Sequence, residues 1–262
     1  MSTVLTRRQW LARSARVLAG AGAAAWVPAW MCAPAGAQAR FSGAVPAVLY
    51  LGMGVQLTPF TDPRLRRAVA SAVNREEVLR LFGRDFRDAR AAMGIQPPGL
   101  PAHNPSAQPL PYDVDRAKAL LAEAGFGAGQ APPAVELWTS AGRARVAEAV
   151  RADLVKVGFT ITVRSLANFS DLVRLVRGGA ARLFLIGWVA DTPQDIFADI
   201  LFHSTSQANH TRYANPEVDR LLREAAQAAD PERKVKAYQE AERLIVQDAP
   251  VVPLLFYTVA VR

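Results

Sequence analysis

From residue 132 onward, apolar positions switch between a two-residue and a 3.6-residue rhythm. Val135–Thr139 alternates as a strand. Arg143–Val157 carries an amphipathic helical face closed by Gly158. Phe159–Arg164 alternates again, with Ile161 and Val163 on one side. Phe169–Arg177 reads as a helix ending at Gly178-Gly179, and Leu183–Trp188 as a third apolar strand. This β-α-β-α-β order predicts parallel strands joined by right-handed crossovers. Two helices follow, each opened by a cap residue and a proline: Asn215-Pro216 and Asp230-Pro231. Pro250–Tyr257 is a nearly continuous apolar run, the pattern of a buried strand.

The earlier part of the chain is punctuated in the same way. A strand is expected around Val48–Met53. Asp62-Pro63 opens a helix whose apolar face is Leu65, Val69, Ala72 and Val73. Asn74 restarts the helical signal, and Glu77 stands three residues on, as in a capping box. Gly94 to Pro111 is a long Pro-rich loop, a length that usually marks function or a crossing between lobes. Asp113 and Asp115 then supply N-terminal charge to a helix over Arg116–Ala124, which stops at Gly125. The expected fold class is therefore α/β, with a mostly parallel sheet flanked by helices.

Composition changes this picture at the N-terminus. The 262 residues are 51% hydrophobic, enough for a full core, and the formal net charge is +8. Arg7, Arg8, Arg13 and Arg16 account for four of those charges, leaving +4 for the rest. Thr6-Arg7-Arg8-Gln9-Trp10-Leu11 has the twin-arginine pattern of an export signal. A weakly apolar stretch from Val17 to about Val27 follows, and Ala37-Gln38-Ala39 offers a signal-peptidase site. Residues 1–39 are read as a twin-arginine signal peptide cleaved after Ala39, and 40–262 as the exported domain, placed in the periplasm. Ala29-Trp30-Met31 fits a lipoprotein site poorly. The single cysteine, Cys32, therefore leaves with the signal, and it allows no disulfide framework or cysteine metal site.

Candidate chemistry is sparse. No basic run interleaved with aromatics occurs, which argues against a nucleic-acid partner. No Gly-x-Ser-x-Gly elbow occurs, and Gly52-x-Gly54 lacks a third glycine, so neither a hydrolase nor a nucleotide-binding enzyme is supported. His203 and His210 lie in a polar stretch and are expected to be solvated loop histidines, with no metal site and no cofactor. One constellation remains, Gly187-Trp188-Val189-Ala190-Asp191, at the carboxyl end of the third strand, where open α/β sheets hold ligands. Asp191 can hold a cation and Trp188 can form a flat apolar wall. Residue chemistry alone leaves open a plainer reading, a helix N-terminal Asp and a core Trp.

Several segments, in order, resemble extracellular solute-binding proteins of family 5, receptors of ABC importers for oligopeptides, dipeptides and nickel chelates. They are Thr58–Val69 with Ala72–Arg75, Tyr112–Phe126, Leu154–Phe159, Gly187–Asp191, Tyr213–Asp219 and Asp248–Pro250. The resemblance runs over roughly residues 48–257 and implies a periplasmic-binding-protein type II-like lobe, truncated relative to the family. It implies a peptide or similar small solute as ligand and a membrane permease as partner. Asp191 matches the acid that holds a peptide's α-ammonium, with Trp188 beside it. Homo-oligomers through the exposed lobe face are a further expectation, and a non-binding remnant or interaction partner of a full-length receptor is the alternative function. The carboxylate-clamping Arg of some members has no counterpart beside this motif, where Leu185 and Ile186 stand before Gly187.

Overall fold

The computed structural model describes residues 41, 43–85, 88–127 and 129–260. Arg7, Arg8, Cys32 and the cleavage position after Ala39 lie outside the described residues. The strands are β1 (Ala44–Met53), β2 (Arg90–Ala91), β3 (Val135–Ser140), β4 (Ile161–Leu166), β5 (Leu183–Val189) and β6 (Val251–Ala260). The α-helices are α1 (Pro63–Ala72), α2 (Arg75–Phe82), α3 (Val114–Glu123), α4 (Ala144–Lys156), α5 (Phe169–Arg177), α6 (Phe197–Phe202), α7 (Pro216–Gln227) and α8 (Pro231–Asp248). All six strands form one sheet in the order β2-β6-β1-β5-β3-β4.

The predicted β3-α4-β4-α5-β5 unit is present, with β3 parallel to both β4 and β5. The sheet as a whole is mixed rather than mostly parallel, because β1 runs antiparallel to both β5 and β6, and β2 is antiparallel to β6. Strand–helix alternation constrains only strands joined by a helical crossover. β1 and β6 stand outside that alternation, so it says nothing of their direction. Register in the centre is firm: Gly52 faces Phe184, and Val48 faces Trp188.

Both faces of the sheet are buried, and strand alternation divides the core in two. Leu49, Leu51, Leu183 and Leu185 point into a cluster covered by α1 to α4. Tyr50, Phe184, Ile186 and Trp188 point into another, covered by α5 to α8. A register shift between Leu49 and Tyr50 bulges β6, and both Leu254 and Leu255 then join the first cluster. The helix starts follow their local signals. Asp62, Asn74, Asp113, Asn215 and Asp230 each cap with a side-chain oxygen. The short α6 is absent from the sequence reading, since six residues give too little periodicity to see.

Three of the resembling segments meet at one junction. Tyr213 Oη donates to Asp248 Oδ2 at 2.6 Å, and Asn215 Nδ2 donates to the same oxygen at 2.9 Å. The buried Arg66 donates from Nε to the Asp248 carbonyl at 3.0 Å and from Nη1 to the Phe60 carbonyl at 2.9 Å. This staple fixes the ends of α8 and α1 to the segment before α7. Asp248→Ala is expected to cost about 2 kcal/mol, because both donors lose a charged acceptor. Urea unfolding measures it, and a cost below about 0.5 kcal/mol would show that the junction contributes little.

Candidate functional site

Parallel strands β3, β4 and β5 place their carboxyl ends at one edge of the sheet, where the chain leaves each for a loop or helix. Four groups gather there. Asp191 follows β5 and is partly exposed. Arg143 ends the short 3₁₀ turn that follows β3 and is also partly exposed. Phe169 opens α5 after β4, and the Arg143 guanidinium sits over its ring at 5.7 Å. Tyr257, near the end of β6, completes the group.

Gly187 lies at the centre. A Cβ at this position would stand 2.6 Å from Tyr257 Oη and 3.1 Å from Arg143 Nη2. Its missing side chain is what lets a guanidinium and a phenol approach the strand. Sequence reasoning missed Arg143 because it sought an arginine next to the motif along the chain. Arg143 reaches this strand end in space, from the end of a different strand. Inspecting every residue just past a parallel strand was the signal that could have found it.

Trp188 is 9% exposed, and its ring lies in the second core cluster with an edge-on contact to His210 at 6.4 Å. Asp191 does not cap a helix: α6 begins at Phe197, with Ile196 in the cap position. Instead the Asp191 N–H donates to Asp195 Oδ2 at 2.8 Å, which closes a tight return after the strand.

The histidine expectation is corrected. His203 and His210 are 2% and 5% exposed, not solvated. The polar stretch folds back over the second core cluster, with Ala208 and Tyr213 as apolar anchors. His203 Nδ1 meets Thr205 Oγ1 at 2.9 Å, and burial pushes its pKa down. His210 is depressed to about 4, by burial first and then by Arg177 and Arg212. It lines a pocket of about 230 Å³ with Gln56, Leu57 and Arg212. His103 Nδ1 lies 2.7 Å from the Gln96 carbonyl, which can only accept, so this nitrogen carries the proton.

The family "Bacterial extracellular solute-binding proteins, family 5 Middle" matches residues 10–209. The chain belongs to this family. Di/tripeptide-binding protein 2 of Pseudomonas aeruginosa is 31% identical over 204 residues, covering 75% of this chain and 38% of that protein. The glutathione-binding protein GsiB of Salmonella paratyphi A is 30% identical over 226 residues, covering 81% and 43%. The solved structure of the periplasmic binding protein DppA from Helicobacter pylori, in complex with the peptide STSA, superposes with a TM-score of 0.74 at 23% identity, covering 83% and 43%. That likeness shows the fold, a periplasmic-binding-protein α/β architecture. The chain spans about two fifths of the length of the curated relatives it matches.

Proposed function

We propose that this chain is the ligand-holding lobe of a peptide-type receptor for an ABC importer, working in the periplasm after twin-arginine export. The ligand is a short peptide or a similar zwitterion. Asp191 takes its ammonium through charge-assisted hydrogen bonds, and Arg143 takes an anionic group with its planar fork. Trp188, which points into the second core cluster on the other side of the strand from Gly187, is the apolar wall behind this strand end. A membrane permease is the functional partner, and self-association through the exposed lobe face belongs to the same reading. The protein has no enzymatic role in this account.

One observation carries the reading: an acid and a guanidinium at the same carboxyl edge of the sheet, beside a glycine whose missing side chain admits the guanidinium. The relatives' names, a di/tripeptide-binding and a glutathione-binding protein, supply the ligand class. The alternative, a non-binding remnant or an interaction partner of a full-length receptor, draws on the two-fifths coverage of those relatives.

Titration calorimetry and thermal shift with trialanine, glutathione and the peptide STSA test it. Wild type is expected to bind at least one of them. Asp191→Ala is expected to weaken that binding at least tenfold, the effect of removing a charged hydrogen bond of about 1.5 kcal/mol. Binding by wild type that Asp191→Ala leaves intact sinks the ammonium assignment. No binding to any probe leaves the remnant reading in place.

A further inference from the structure

Asp191 sits in a five-residue return, Asp191–Asp195, with no helix or strand of its own. Asp195 gives the return its shape. This buried carboxylate accepts from the Asp191 N–H at 2.8 Å and from Thr192 Oγ1 at 2.7 Å. Such a ring fixes a shape but not a position. Position comes from across the fold, through Gln96 in the long Pro-rich loop.

Gln96 is 2% exposed, and every polar group it owns is engaged. Its Nε2 donates to the Asp195 carbonyl at 2.8 Å and to the Pro101 carbonyl at 2.7 Å. Its Oε1 accepts from the Phe197 N–H at 2.7 Å. Its backbone N–H donates to Glu242 Oε1 on α8 at 2.8 Å, beside the Ile95 N–H on the same oxygen at 2.5 Å. Gly94 keeps that approach open, since a Cβ there would stand 2.7 Å from Glu242 Oε1. A primary amide offers two donors and an acceptor in one plane, and this junction uses all three. A buried polar group is tolerated only when so satisfied, and a satisfied network rigidifies what it joins.

We propose that Gln96 is a positioning residue for the ligand contact, anchoring the Asp191–Asp195 return to α8 so that the Asp191 carboxylate is held in place before a ligand arrives. The inference rests on the assignment of Asp191 as the ammonium contact. Such preorganisation lowers the ordering cost of binding.

Amide hydrogen exchange and trialanine titration on the full chain test it together. Gln96→Ala is expected to lower protection of the Asp191 amide at least tenfold and to weaken trialanine binding at least tenfold. Asp248→Ala, at the opposite end of the sheet, is expected to leave Asp191 protection and trialanine affinity within about twofold. Gln96→Glu keeps the shape and the acceptor but turns the donor side into a carboxylate facing two carbonyls. It is expected to behave like Gln96→Ala at pH 8 and to regain affinity relative to wild type at pH 5, where protonation restores a donor. If wild type binds no probe, the ammonium assignment falls, and exchange still decides the staple. Asp191 protection unchanged in Gln96→Ala overturns the proposal, as does a Gln96→Glu affinity that tracks wild type at both pH values.

Discussion

Gly52→Ala is expected to destabilise the protein by about 3 kcal/mol, near the upper end for overpacking a core. Gly52 pairs directly with Phe184 across β1 and β5. A Cβ on Gly52 would stand 2.3 Å from Phe184 Cε2 and 2.4 Å from Cζ. Phe184 is fully buried, so its ring cannot swing into solvent, and the backbones of two central strands must part instead. For a chain of this size that cost lowers Tm by roughly 6–12 °C, readable by calorimetry. A double-mutant cycle isolates the cause. Phe184→Leu removes the obstructing ring edge, so Gly52→Ala should cost much less in that background. Equal costs in both backgrounds would place the strain elsewhere.

Acid sensitivity through His210 is the second large expectation. Unfolded His210 takes up its proton near pH 6.5, and the folded one only near pH 4. Between those values the unfolded state binds more protons, so stability is retained above pH 6.5 and lost as pH falls toward 4. The full difference corresponds to about 3 kcal/mol. His210→Leu removes this contribution. Among the described residues neither ring nitrogen of His210 has a hydrogen-bond partner, so the variant gives up no bond at pH 7. Urea midpoints from pH 7 to 4 should fall less steeply in His210→Leu than in wild type. Parallel profiles would mean that His210 does not set the acid response.

What the sequence discloses and what it hides divide along contact range. Helix starts were legible because their signals are local: Asn215-Pro216 and Asp230-Pro231 act on the amides two or three residues ahead. The β3-α4-β4-α5-β5 unit was legible because its periodicity alternates cleanly. The burial of His203 and His210 was not, since a polar stretch reads as solvated until the apolar cluster beneath it is known. Arg143 and Asp191 lie 48 positions apart and share one edge of the sheet only because β3 and β5 are parallel neighbours. Gln96 and Asp195 are 99 positions apart, and nothing local to either names the other. The motif at Gly187–Asp191 drew attention to one strand end, and the fold brings the Arg143 guanidinium to that same end.

The antiparallel insertion of β1 has a consequence for how the chain is made. β1 ends at Met53, yet its two neighbours, β5 and β6, begin only at residues 183 and 251. Its apolar residues must therefore wait, unpaired, until at least the first of these is made. Pairings this distant in sequence form slowly and leave a sticky strand available to other chains meanwhile. A product that stopped short of residue 251 would hold β1 by one edge only, its other edge open to aggregation or proteolysis.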